Sequence, residues 1–395
     1  MKSMFSLFNL IMSTAICWYI YRRLFMPIIQ AIKCINTAPV FMTFSFLMAI
    51  SIPSYFIATR YNCALLAQIS SITAAVLLII FFNLFAYEIC ALMLRHLQNF
   101  HYPLISRMAG QHIHHRQLII FWSTIAIIYG AVGFWQGSAP PQVKEVALTI
   151  PQFPFKNFTI ALISDLHLGA TSKQAFLEDC VQKINLAHPD LVVIAGDLLD
   201  QDPSDEYSDL LNKFTPLKNL RSKYGTFMVL GNHEYYSYTE KTIGKILKPY
   251  NVRLLVNESV FLDGFNLVGL ADPSGERFKS IEPSLEKAIS GADGGYRKDA
   301  PSILIGHQPK LVKLLDRYLL TSQRFDPQFV LMLSGHTHGG QLFPFHIAAA
   351  LAQPYVSGLH LHYSLPIYVT SGAGLWGPAL RVFSSGEIAL IKINY

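Results

Sequence analysis

Glu88 is the only acidic residue among the first 139 positions of this 395-residue chain. The same stretch carries eight Lys and Arg residues, set at the ends of long apolar runs. A soluble surface cannot be built from so few charges, because globular chains carry about 25% charged residues. Four runs, 5–21, 40–59, 64–94 and 118–135, approach the ~20 residues that cross a bilayer. An all-α membrane domain of about four transmembrane helices is therefore expected over residues 1–139, with the chain anchored in a lipid bilayer.

The boundary falls at Pro140-Pro141. Subtracting the first part from the chain totals of 31 bases and 25 acids leaves 23 and 24 in residues 140–395. A net charge of −1 gives that domain no reason to bind nucleic acid. Loops after the first and third runs hold Arg22, Arg23, Lys33, Arg95, Arg107 and Arg116, against Lys2 and Arg60 on the other side. Basic loops stay in the cytoplasm. With four spans, this rule places the C-terminal domain outside the cytoplasm of a bacterial inner membrane. Glu88 reads as an interfacial residue near the end of its span, and His96, His101, His112, His114 and His115 as a solvated loop. Cys180 is the single cysteine after residue 139, and no Cys-x-x-Cys occurs, so neither a disulfide framework nor a thiolate zinc site is expected.

From residue 158 the pattern changes. Short β-branched runs at 158–163, 191–195, 227–230, 267–270, 303–305, 329–333, 367–370 and 388–393 alternate with helical patterns at 173–187, 240–248, 283–289 and 310–318. Such alternation specifies an α/β domain with layered sheets. Five of the runs end in ionisable or amide side chains. They deliver Asp165-Leu-His167, Gly196-Asp197-Leu-Leu-Asp200, Gly231-Asn232-His233-Glu234, Gly306-His307 and Gly335-His336-Thr-His338-Gly339-Gly340. The carboxyl edge of an open α/β sheet is where ligands bind. A glycine before the polar residue lets each strand turn sharply without a Cβ clash.

The convergent set is Asp165, His167, Asp197, Asn232, His307, His336 and His338. It has too many imidazoles for a calcium or magnesium cage and no thiolate. Mixed nitrogen and oxygen donors suit Mn, Fe, Zn or Ni, with Mn favoured. Seven donors exceed the needs of one ion, whereas two ions sharing one carboxylate use them all. A two-metal site clamps the attacking and leaving oxygens of an in-line displacement at phosphorus, and a water between the ions becomes acidic enough to attack.

In this order the five motifs resemble the calcineurin-like metallophosphoesterases, over residues 157–395. The resemblance implies a layered αββα sandwich. It also implies that Asp165, His167 and His338 hold one divalent ion, that Asn232, His307 and His336 hold the other, and that Asp197 bridges them. His233 is then the imidazole that meets the phosphate and assists the leaving oxygen, and Asp200 the acid that orients it. Glu234 stands where some members have Asp. Asp263 and Asp272 match nothing and read as solvated turn residues. His188, His346, His360 and His362 fit no motif either.

The tail Ser371-Gly-Ala-Gly-Leu-Trp-Gly-Pro-Ala-Leu-Arg381 is similar to a membrane-associated branch of the family, which includes the animal transmembrane protein with a metallophosphoesterase domain. In and beside that branch are enzymes that cleave UDP-2,3-diacylglucosamine in lipid A synthesis. A lipid-linked phosphodiester or pyrophosphate is the substrate implied, with Arg381 and Trp376 as candidate substrate contacts. Residues 343–351, apolar and close to the last motif, read either as a helix admitting lipid or as a core helix. That substrate belongs to the cytoplasmic leaflet, in conflict with the basic-loop count. Two other readings stay open: a generic phosphodiesterase or nucleotide hydrolase, and a transporter or receptor whose C-terminal domain only binds metal.

Overall fold

The computed structural model describes residues 2–26, 63–99 and 115–395, except 152, 170, 201–211, 238–239, 291–294 and 322–327. Between the first two segments it describes only 39, 46, 50, 51, 53–55, 57 and 58. Two compact units divide the chain. One holds residues 1–58 and 63–135 with 377–380, and the other holds 59–62, 136–376 and 381–395.

The first unit contains helices α1 (Lys2–Ile20), α2 (Ala64–Asn99) and α3 (His115–Ser138). Among the described residues two helices are long and apolar enough to cross a membrane, over Ala64–Met93 and Ile120–Ser138. Of the four expected spans, those at 64–94 and 118–135 correspond to these two helices. The run at 5–21 forms α1, and the run at 40–59 lies largely outside the described residues, as do His101, His112 and His114. Glu88 does not stand alone in its apolar helix: Arg23 Nε lies 2.6 Å from its Oε1. An opposite charge at that distance offsets the cost of placing an acid there.

The second unit is built on two six-stranded sheets. The first comprises β1 (Gln142–Thr149), β2 (Phe158–Ile163), β3 (Leu191–Ile194), β4 (Thr226–Met228), β5 (Val252–Leu254) and β12 (Glu387–Asn394), in the order β1-β12-β2-β3-β4-β5. The second comprises β6 (Glu258–Leu262), β7 (Phe265–Gly269), β8 (Ser302–Ile305), β9 (Phe329–Ser334), β10 (Gly358–His362) and β11 (Leu365–Val369), in the order β10-β11-β9-β8-β7-β6. Strands β2 to β5 run parallel, as do β7, β8, β9 and β11.

Period-two alternation sorts the side chains into three layers. Ile160, Leu162 and Val193 meet Leu267, Ile303, Leu331 and Tyr368 between the sheets. Ala161, Ile163 and Val192 face outward onto Leu177, Cys180 and Ile184 of α4 (Gln174–Leu186) and onto Ile243 and Leu247 of α5 (Glu240–Leu247). On the far side Val268, Leu304 and Met332 pack on Leu285 of α6 (Leu285–Ser290) and on Val312 and Leu315 of α7 (Val312–Thr321). The unit is a layered αββα sandwich. Because both faces of the inner strands are covered, β3 and β8 are buried along their whole length, which is why they read as unbroken apolar runs. All eight strand expectations correspond to observed strands; β1, β5, β6 and β10 were not expected.

Candidate metal centre

The parallel strands of both sheets deliver their loops to one place. Asp165 and His167 follow β2, Asp197 and Asp200 follow β3, and Asn232 and His233 follow β4, while His307 follows β8 and His336 and His338 follow β9. Five of the seven candidate ligands sit on left-handed backbone: Asp165 (φ 54°), His167 (46°), Asp197 (51°), His336 (73°) and His338 (50°). Non-glycine residues rarely adopt it, and such conformations persist only where the surroundings impose them. Here the imposition is visible. Asp165 N donates to Gly196 O, His167 N donates to Asp197 O, and His336 N donates to both Asp165 carboxylate oxygens at 3.0 and 3.2 Å.

Donor atoms gather in three groups, each within 4.8 Å: Asp165 with His167 and His338, His167 with Asp197 and His233, and Asp197 with His307 and His336. Asp197 belongs to two of them. His167 Nε2 and His338 Nε2 point at each other at 3.0 Å. His307 Nδ1 lies 2.7 Å from Ala195 O and so carries a hydrogen, which leaves Nε2 facing two acceptors, Asp197 Oδ2 and Asn232 Oδ1, both at 3.2 Å. Lone pairs converging on one another need a cation between them. A proton on His307 is one answer and a divalent ion is the other. The donor set therefore fits two metal ions.

The electrostatics divide the imidazoles. Burial, then the charge of His307, pushes His336 down to about 3, and burial with the neighbouring His167 holds His338 well below the usual range. Neutral imidazoles are competent ligands. Burial also opposes charge on His233, but Asp197 and Asp200 outweigh it and raise that imidazole to about 9. His233 Nδ1 lies 2.9 Å from Asp200 Oδ1. Burial works against the Asp200 carboxylate too, yet the imidazoles of His167 and His233 hold it well below the usual carboxylate range.

Three residues around the site were not foreseen in these roles. Glu234 is buried, and its carboxylate accepts from Gly231 N (2.7 Å), Asp197 N (3.1 Å) and Leu199 N (3.1 Å), tying the loop after β3 to the loop after β4. Burial and the charge of Asp197 push its carboxyl up to about 7 against the pull of those donors. Tyr236 OH accepts from Asn232 Nδ2 at 2.8 Å. The one-turn spacing from Asn232 to Tyr236 was the available signal. Asp272, read as a solvated turn residue, is fully buried and accepts from Gln308 Nε2 at 3.0 Å and Ser274 N at 2.8 Å. Asp263 is exposed in a turn, as expected.

Neither candidate substrate contact joins the cluster of donors. Arg381 is 1% exposed, and its guanidinium donates to the carbonyls of His338, Ser371, Gly372, Gly374 and Ser385 and to Ser384 Oγ. That placement makes it a brace of the last motif loop. Trp376 is partly exposed, with its backbone N and O paired to the Gln341 side chain.

A layered αββα sandwich with polar donors on its strand-end loops defines a class of metal-dependent hydrolases, and comparison with known proteins gives the same class. The profile of the calcineurin-like phosphoesterases matches residues 158–340. An uncharacterized metallophosphoesterase of Campylobacter jejuni is 37% identical over 70% of this chain and 69% of its own length. The chain belongs to the calcineurin-like metallophosphoesterases, a family of hydrolases. A Helicobacter pylori metallophosphoesterase is 38% identical over 66% of each chain. The bovine transmembrane protein with metallophosphoesterase domain is 33% identical over 68% of this chain and 61% of its own. Among solved structures, a dimetal phosphatase from Danio rerio covers 55% of this chain and 88% of its own at 12% identity, with a TM-score of 0.33, too low to carry an argument.

Proposed function

We propose that residues 140–395 form a two-metal phosphoester hydrolase, anchored to a membrane by residues 1–139. The observation that carries this reading is the presence of two donor groups, Asp165–His167–His338 and Asp197–His307–His336, with Asp197 Oδ2 3.9 Å from His167 Nε2 between them. In the proposal Asp165, His167 and His338 hold one ion and Asn232, His307 and His336 the other, with Asp197 shared. When bound, such ions neutralise charge on the phosphoryl oxygens and make water acidic enough to attack. His233, whose Nδ1 lies 2.9 Å from Asp200 Oδ1, presents a hydrogen to the leaving oxygen. Asp200 fixes the tautomer and direction of that ring. Glu234 and Tyr236 hold the backbone of Asp197 and the amide of Asn232 in register.

The substrate proposed is a lipid-linked phosphodiester or pyrophosphate, with UDP-2,3-diacylglucosamine one compound of that chemistry. An anchored hydrolase gains encounter rate only toward membrane-bound substrates. The basic-loop count that set the domain outside the cytoplasm presupposes four spans, so the side it assigns is a proposal that stands or falls with that number. Detergent-purified protein, stripped with chelator and reloaded with Mn²⁺, should hydrolyse bis-p-nitrophenyl phosphate, and Asp197→Ala should not. Equal rates in the parent and Asp197→Ala would remove the proposal. Cleavage of UDP-2,3-diacylglucosamine in parallel decides whether that lipid is accepted.

A further inference from the structure

From residue 327 to residue 380 the chain has no Asp, Glu, Lys or Arg, while the remaining 202 residues after position 139 carry 47. At the average density of the domain, about ten charges would fall in that stretch. Part of it lies in the sheet core, but part is open. Helix α8 (Phe345–Ala352) has no buried residue, unlike α4, which buries Leu177, Cys180, Val181 and Ile184. Ile347 and Leu351 are 55% and 85% exposed, and their i, i+4 spacing puts them on one face of α8, while Phe343, just before the helix, is 51% exposed. Phe383 is 79% exposed, its ring 6.5 Å from that of His346 on α8. Of the two readings of residues 343–351, the core helix is therefore excluded.

We infer that α8 and Phe343 dock on the hydrocarbon boundary of a lipid bilayer, with Ile347 and Leu351 inserted. A surface both apolar and uncharged matches hydrocarbon, and it matches neither an acidic nor a basic partner. An eight-residue helix is about 12 Å long, so its exposed face is far short of the ~1,200 Å² that a stable dimer needs. Only residues 139–141 separate the apolar helix α3 from β1. The docking face starts five residues after His338, and Gly340 lies against the His346 ring. A substrate whose lipid tail stays in the bilayer would then meet the candidate metal centre from the membrane side. This consequence rests on the proposed function, but the docking itself does not.

The test is fluorescence of Leu351→Trp in the full chain, reconstituted in phosphatidylcholine vesicles with and without lipids brominated at carbons 6 and 7. Leu186→Trp, 70% exposed on α4, is the control. The emission that Leu351→Trp adds over the parent should be blue-shifted and quenched roughly twofold or more by the brominated lipid. The Leu186→Trp increment should be unaffected. Neither added phosphatidylglycerol nor high salt should change the quenching, since no charge takes part. Red-shifted, unquenched emission from Leu351→Trp would overturn the inference by showing a face in water. Blue-shifted but unquenched emission would overturn it in favour of cover by protein, such as a second copy. No metal or substrate is needed, so a failure of the hydrolase proposal would leave the result standing.

Discussion

Replacing Arg381 by Met keeps much of the side-chain volume and removes every donor. Six acceptors lose a partner, but three retain others: His338 O accepts from Gln341 N, Gly372 O accepts from Glu387 N, and Ser384 Oγ also donates to His338 O. The unrelieved buried losses are the carbonyls of Ser371 and Gly374, since Ser385 is exposed and its carbonyl can turn to water. Each buried carbonyl left without a donor costs about 1–3 kcal/mol, so the gross loss is about 2–6 kcal/mol. Relief of the buried guanidinium's desolvation returns part of this. A net destabilisation of about 3 kcal/mol follows, equivalent to a melting temperature about 6–12 °C lower for a unit of this size. Arg381→Lys, with three donors, should fall in between. Melting would be followed in detergent on the full chain, with bound Mn²⁺ counted in parallel. Because His338 O rests on the same guanidinium, we expect turnover of a phosphodiester to fall about 10²-fold as well. A melting temperature within about 2 °C of the parent, with full metal content, would refute the assignment of Arg381 as a brace.

Asp200→Asn should move the alkaline limb of kcat/KM to lower pH by about 1 unit or more, because the carboxylate that favours protonated His233 is gone; an unmoved limb counts against the dyad. Gly231→Ala should abolish metal binding and activity, since a Cβ there would overlap the Asp197 carboxylate, and Mn²⁺ titration checks it. In the metal-free protein His233 binds its proton more tightly folded (about 9) than unfolded (about 6.5). Its contribution to stability is therefore full below pH 6.5 and lost as pH rises toward 9, so melting temperatures measured with chelator should fall across that window. Glu234→Gln brings an amide N–H against backbone N–H groups and should lower the melting temperature by several degrees, read in the same detergent assay.

What the sequence carried and what it withheld have physical causes. Strands β2, β3, β8 and β9 were legible because burial on both faces leaves unbroken apolar runs. β1 was not, since its QVKEVALT is mostly exposed and carries two charges, and pairing with β12 makes it a strand. β5 has three residues and no period to show. The strand-end donors were visible as motifs, whereas the distances that gather them into three groups depend on how the two sheets pack. Arg381 was ambiguous because a guanidinium near a phosphate site suggests a ligand contact, and only packing shows it turned toward backbone carbonyls. Asp272 misled, since turn composition signals exposure and Gln308 lies 36 residues away.

The left-handed backbone at Asp165, His167, Asp197, His336 and His338 sets two kinds of selection against each other. Glycine at any of these positions relaxes the local conformation, by about 1 kcal/mol, and deletes a donor. Where the lost side-chain contacts cost less than that, drift toward a more robust fold gains at the expense of the proposed metal ligands. A library screened only for thermal tolerance would be expected to enrich inactive variants with glycine at these sites. The same screen run with a turnover requirement should leave all five untouched and collect its improvements elsewhere.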